Sequence, residues 1–294
     1  MIFNFSKNIS IPLLLSILTA AVLWLSFYGN TQPGTGTKIT INTTHHFHIA
    51  VSANFRSTLE VLIKDYKRQF PNINITFSSG SSGSLYQQIL HGAPYQLFLS
   101  ADTRYPKQLE QQHKAIAGSR RTYALGELVL WSPKQYLNSI QQLTNSSILA
   151  LANPKTAPYG RAASEVLTHL SRPNLKQVQG HSISQAHQFV ASGNADVGLL
   201  ARSQVIQDIQ HVTTIDPNLY QPIKQQMVLL SKNNIAAKDF FHYLISEQAQ
   251  AIIQASGYKS LKTLPQITFK KTRHQSISSV LISPQEVSIV THAQ

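Results

Sequence analysis

The chain has 294 residues, 42% of them hydrophobic, enough for one large domain or two lobes with real cores. Lys plus Arg outnumber Asp plus Glu by 25 to 12, a formal charge of +13, yet the cations are scattered and form only short pairs such as Arg120-Arg121 and Lys270-Lys271; that pattern is a solvated basic surface, and no nucleic-acid partner is expected. The absence of cysteine excludes disulfides, thiolate metal sites, a Cys nucleophile and a lipid-modified cysteine.

Residues 1–28 read as a signal or anchor segment. One lysine lies in Met1 to Lys7, and an apolar run without charge follows from Ile11 to Tyr28. That length lies between a long export signal and a short membrane span. No clear small-x-small cleavage site follows, so an export signal that stays attached as a membrane anchor is expected. Residues 29–46 read as a flexible tether, Thr/Gly/Asn-rich from Asn30 to Thr44. His45, His46 and His48 form the one close histidine group, and no metal centre is expected there.

From Phe47 onward, β-like and helical runs alternate. The pattern predicts a strand at His48 to Val51 and an amphipathic helix over Ser57 to Phe70, with apolar Leu59, Leu62, Ile63, Tyr66 and Phe70 on one face. It then predicts a strand at Ile73 to Phe77, a helix from Leu85 to Leu90, a strand at Tyr95 to Ala101 and a helix from Pro106 to His113. Ala124 to Pro133 reads as one long strand and Ile148 to Pro154 as another. A helix over Gly160 to Leu170, a helix over Ser184 to Ser192 and a strand at Ala195 to Leu200 come next. Gln225 to Leu230 reads as a strand and Ala237 to Ala255 as one long helix. Residues 265–294 lose periodicity and read as a low-order tail. Strands alternating with helices predict an α/β protein with parallel-type sheets flanked by helices.

In such folds ligands bind where strands run into helix starts. Four loops hold that position: Ser52 to Ser57, the GSSGS loop within Phe77 to Leu85, Asn153 to Gly160, and Gly180 to Gln185. A helix start carries unsatisfied N–H groups and a partial positive charge, which suits an anion. The plain alternative for each loop is a turn that caps its helix. Together the four present neutral donors, which is what an enclosed oxyanion needs. No catalytic set is visible. The loop serines lack a G-x-S-x-G elbow, because Gly80 and Gly83 are three residues apart. No carboxylate pair and no P-loop occurs in these loops, so no enzyme is expected.

Six segments carry a resemblance in order and spacing: VSANF, FSSGSSGSLYQQI, GAPYQLFLSAD, NPKTAPYG, ISQAHQFVASGNADVGLLARSQV and FFHYLISEQAQAIIQASGY. From Phe47 to Leu264 the chain resembles the periplasmic molybdate-binding proteins of molybdate ABC transporters. The resemblance implies a two-lobed type II periplasmic binding protein fold with a ligand cleft between the lobes. Lobe 1 would comprise 47–123 and 221–264, and lobe 2 124–220, with chain crossings near Tyr123-Ala124 and Tyr220-Gln221. It implies molybdate or tungstate as ligand, held through its oxygens without any bare metal ion or cofactor. The ligand-binding positions it implies are Asn54, Ser82, Tyr159 and Ile183, the last two through backbone N–H groups. A tyrosine donor found in some members falls at Ala201 here, so Ala53 or Ser81 is expected to substitute. Gln96 stands where members usually carry Asp. The implied partner is an ABC permease and the implied location the periplasm, as a monomer, with membrane attachment through residues 11–28. The alternatives are the same fold binding sulfate or phosphate, and a membrane-anchored oxyanion sensor.

Overall fold

The computed structural model describes residues 45–172 and 175–261. The leader at 1–28, nearly all of the tether at 29–46 and the tail at 265–294 lie outside the described residues. His45 and His46, at the end of the expected tether, already belong to the first strand.

The chain begins with β1 (His45–Ser52), a single 3-10 turn at Ala53–Phe55 and α1 (Arg56–Gln69). Next come β2 (Ile73–Gly80), α2 (Ser82–Leu90), β3 (Leu97–Leu99), α3 (Arg104–Gln111) and β4 (Arg121–Gly126). β5 (Leu128–Trp131), β6 (Ile148–Ala152), α4 (Pro158–His169), β7 (Lys176–Gly180), α5 (Ile183–Ala191), β8 (Val197–Ala201) and β9 (Val212–Thr214) follow. β10 (Ile223–Leu229), α6 (Ile235–Tyr243) and α7 (Glu247–Ala255) close the described part.

The strands form two five-stranded sheets, ordered β2-β1-β3-β10-β4 and β7-β6-β8-β5-β9. β1 pairs in parallel with β2 and β3, whereas β10 is antiparallel to β3 and β4. In the second sheet β6 is parallel to β7 and β8, and β5 is antiparallel to β8 and β9. Each sheet is therefore parallel at the strands that feed the candidate loops and antiparallel where the chain crosses between lobes.

Side-chain alternation along a strand explains the helical cover on both faces. In the first sheet Phe47, Ile49, Val51, Leu97, Leu99 and Met227 face a core completed by Phe55, Leu59 and Phe240. Their neighbours Ala50, Phe98 and Val228 face a second core with Leu85, Ile89 and Leu109. The second sheet has its own core, to which β5, β6, β8, α4 and α5 all contribute. Burying a large apolar side chain contributes about 1.5–3 kcal/mol, so each face holds its helices without help from charge.

Two long runs are divided. Ala124 to Pro133, expected as one strand, is β4 and β5, with Glu127 between them, and the two pair in different sheets. Both halves are buried, so periodicity shows no boundary. The chain thus passes from the first sheet to the second at Glu127. Ala237 to Ala255, expected as one helix, is α6 and α7: the first ends at Leu244 as its C-cap, and Ser246 caps the second by accepting from Ala249 N–H at 3.2 Å. β7 and β9 carry no clear strand signal: β7 reads KQVQG and β9 is three residues long.

Candidate functional site

Four chain segments end at one place. Ser52, Ala53 and Asn54 come from the end of β1, and Gly80, Ser81 and Ser82 from the junction of β2 and α2. Ala157, Pro158 and Tyr159 come from the start of α4, and Ile183 from the start of α5. With Ala101 they enclose a cavity of about 10 Å³, room for about one water-sized group. All six expected positions, Asn54, Ser82, Tyr159, Ile183, Ala53 and Ser81, lie in this wall. Larger surface hollows exist, such as the one of about 390 Å³ beside Phe70 and Ile235, but none of them joins the starts of α2, α4 and α5.

The local sequence accounts for each donor. Ser81 is the N-cap of α2: its hydroxyl accepts from Ser84 N–H at 3.3 Å, which leaves the Ser82 N–H free at the first helical position. Ser82 Oγ accepts from Ala101 N–H at 2.9 Å. That bond fixes the hydroxyl and leaves its proton to be given to a guest. Pro158 opens α4, where its missing N–H costs nothing, so the first N–H of that helix belongs to Tyr159. Ser182 caps α5 by accepting from Gln185 N–H at 3.3 Å, which frees the N–H of Ile183. None of the three helices carries an acidic residue in its first turn, so nothing offsets their positive ends.

The wall holds no Lys, Arg, His, Asp or Glu. Arg56 and Lys155 lie in two of the four loops but are exposed outside it, Arg56 against Glu60 at 3.2 Å. The one titratable side chain in the wall is Tyr159, and burial pushes its hydroxyl well above the usual phenol range. A serine nucleophile here has no base in the wall. Ala201, the position of the expected tyrosine donor, is buried in β8 opposite Leu128 and is not part of the wall. Gln96 instead uses its side-chain oxygen to accept from His48 N–H at 2.6 Å, doing locally what a carboxylate would do. The two ring nitrogens of His48 meet Thr76 and Ser78, and no group of three or more potential metal ligands occurs among the described residues.

Bonds span the cleft around the cavity. Gly83 N–H donates to Thr156 O at 2.9 Å, Ser184 Oγ to Ala53 O at 3.3 Å, and Arg161 Nη2 to Asp102 Oδ2 at 2.5 Å. Gly83 permits the first, because a Cβ there would stand 2.9 Å from Thr156 O and 2.6 Å from Tyr105 Oη. The two halves are therefore closed on one another.

Behind the cavity lies a buried polar layer. Asn54 Nδ2 donates to Gln225 Oε1 at 2.9 Å and to Tyr258 Oη at 3.0 Å. Gln225 Nε2 donates to Tyr159 Oη at 3.2 Å, and Tyr123 Oη donates to Gln225 Oε1 at 3.1 Å. The Asn54 Oδ1 is buried without a hydrogen-bond partner. Sequence reasoning singled out Asn54 but missed Gln225, a polar residue inside a strand that gives no local sign of burial. Ser52, Gly80, Ala101 and Ala157 were missed as well, though all lie within or beside the quoted motifs.

Two sheets joined by crossing strands, closed over a pocket of helix starts, define a two-lobed solute-binding protein of the periplasmic type. The bacterial extracellular solute-binding protein family matches residues 47–259, and the chain belongs to that family. It is 41% identical over 223 residues to the molybdate-binding protein ModA of Azotobacter vinelandii, covering 71% of this chain and 88% of that one. It is also 41% identical over 220 residues to ModA of Rhodobacter capsulatus, covering 71% and 86%. The solved structure of the Azotobacter vinelandii periplasmic molybdate-binding protein superposes with a TM-score of 0.68 at 38% identity, over 75% of this chain and all of that one.

Proposed function

We propose that this protein captures molybdate, or the similar tungstate, between its lobes outside the cytoplasm and delivers it to an ABC permease. The observation that carries this reading is the convergence of the starts of α2, α4 and α5 on a small cavity whose wall has no charged side chain. A dianion leaving water must regain donors. Hydrogen bonds to a charged group contribute about 1.5–3 kcal/mol each, and Ser82 Oγ with the N–H groups of Ser82, Tyr159 and Ile183 supplies several. Without a fixed cation, selection rests on cavity size and donor geometry, so oxyanions of different radius would be told apart. The names of the relatives support molybdate over sulfate or phosphate. The wall supports binding without catalysis, since it holds no acid–base pair.

Lobe 1 would comprise the first sheet with α1 to α3, α6 and α7, and lobe 2 the second sheet with α4 and α5. The hinge would lie at Glu127 and in the segment before β10. No helix among the described residues is long and apolar enough to cross a membrane, and attachment through residues 11–28 rests on the leader sequence alone. The test is native mass spectrometry of the purified protein with molybdate, tungstate, sulfate and phosphate in competition. One molybdate or tungstate per chain, undisplaced by excess sulfate, is the expected result; preferential retention of sulfate or phosphate would overturn it.

A further inference from the structure

Resting on that reading, we propose that Gln225 is a positioning residue for the anion site: its amide sets which end of the Asn54 side chain faces the guest. The guest is an acceptor only. Asn54 lines the cavity, yet both contacts of its Nδ2 run to Gln225 and Tyr258, and its Oδ1 has no partner. An unpaired carbonyl oxygen beside a dianion is repelled. Turning the Asn54 amide about its last torsion exchanges O and N at almost no change of shape. The turned amide gives Nδ2 to the anion and sets Oδ1 against Gln225.

Gln225 must then turn too, because its Oε1 would otherwise meet the Asn54 oxygen. With both amides turned, Gln225 Nε2 donates to Asn54 Oδ1 and to Tyr123 Oη. Tyr159 Oη donates to Gln225 Oε1 in place of accepting from Nε2. Tyr123 Oη keeps Ser100 O, 3.2 Å away, as its acceptor. Tyr258 Oη, which donates to Asn54 O at 2.9 Å, gives its proton to Asn54 Oδ1 instead, and Asn54 O keeps the Ser203 Oγ donor at 3.0 Å. The layer thus has two arrangements: in the first Asn54 Oδ1 is left unpaired, and only the turned one presents a donor to the cavity. Gln225 is completely buried. It reaches Asn54 in the turn after β1 and Tyr159 at the start of α4, so the orientation of one amide is felt in both lobes. The fit is close: a Cβ on Gly126 would stand 2.2 Å from Tyr159 Oη and 2.9 Å from Gln225 Nε2.

The test is Gln225→Glu, titrated with molybdate by calorimetry from about pH 6 to about pH 9. An ionised carboxylate cannot donate to Asn54 Oδ1; a protonated one can. A fully buried Glu titrates as high as about 8–9. The side chains facing it, Tyr123 and Tyr159, stay neutral over that range because burial pushes both up. The carboxylates that act on those hydroxyls, Asp102 and Glu127, are paired with Arg161 and Lys259. The expected result is affinity at least tenfold below wild type at the alkaline end, recovering as pH falls, with wild type flat across the range. Affinity equal to wild type throughout, or weak throughout with no recovery, would overturn the proposal. On the unaltered protein, the side-chain amide NMR signals of Asn54 and Gln225 are expected to shift together on adding molybdate; movement of Asn54 alone would also overturn it. Wild type that binds no oxyanion would instead sink the functional reading beneath it.

Discussion

Ser82 shows how much one side chain is asked to do. Its oxygen takes the Ala101 N–H at 2.9 Å, so the hydroxyl is held by the protein and its proton points away from that bond. Ser82→Ala removes a donor to an anion and also leaves the Ala101 N–H unpaired when the cavity is empty. Molybdate affinity is expected to fall tenfold or more, about 1.4 kcal/mol or above, read by calorimetry; unchanged affinity would show that the hydroxyl is not a ligand. Ser82 and Asn54 were singled out through the motifs that carry the family resemblance, while the loop composition alone also fits a turn that caps a helix. Gln225 was not singled out. It lies between Lys224 and Gln226 in β10, and alternation alone does not say that one of these three polar residues is buried completely.

At the scale of elements, the site is made by where helices begin. The sequence placed loops at the starts of α2, α4 and α5 but set the helices themselves at Leu85, Gly160 and Ser184, one to three residues late. The exact first residue matters here: the periodic signal begins at Leu85, whereas α2 begins at Ser82, because an N-terminal turn of Ser and Gly has no apolar face to read. Gly83 then lets α2 approach the loop that opens α4. Gly83→Ala would drive a Cβ against Thr156 O, a backbone atom of the opposing lobe, at 2.9 Å. The lobes would have to part to admit it. Molybdate affinity is expected to drop by about tenfold while the melting temperature without ligand changes little. A variant that melts far lower but binds normally would place Gly83 in the fold of its own lobe rather than in closure.

Across the whole molecule, the basic surface and the uncharged cavity are separate features, and composition alone would have suggested cations in the site. Alternating strands and helices predicted an α/β protein, and the two-lobed plan was implied by the family resemblance. The passage at Glu127 was not legible, since Leu125 and Leu128 are both buried on either side of it. Acid sensitivity is a property of this scale. His187, stacked on Trp131 with ring centres 5.0 Å apart, and His48, set between Thr76 and Ser78, are both held below the usual histidine value, chiefly by burial. A histidine whose folded value is depressed binds its proton more readily when unfolded. Its contribution is therefore complete above the free value of about 6.5 and is lost as pH falls below it. The melting temperature is expected to be level above neutrality and to decline through mildly acid pH, and His48→Gln with His187→Gln should flatten that decline. An acid branch unchanged by the double substitution would assign it to other groups.

The central claim is that a small doubly negative guest sits among helix starts with no cation beside it. A crystal structure of the molybdate complex, phased on the anomalous signal of molybdenum, tests this most directly. One strong peak is expected in the cavity, within hydrogen-bond reach of Ser82 Oγ and of the N–H groups of Tyr159 and Ile183. A peak elsewhere on the molecule, or one held by Lys or Arg side chains, would contradict it.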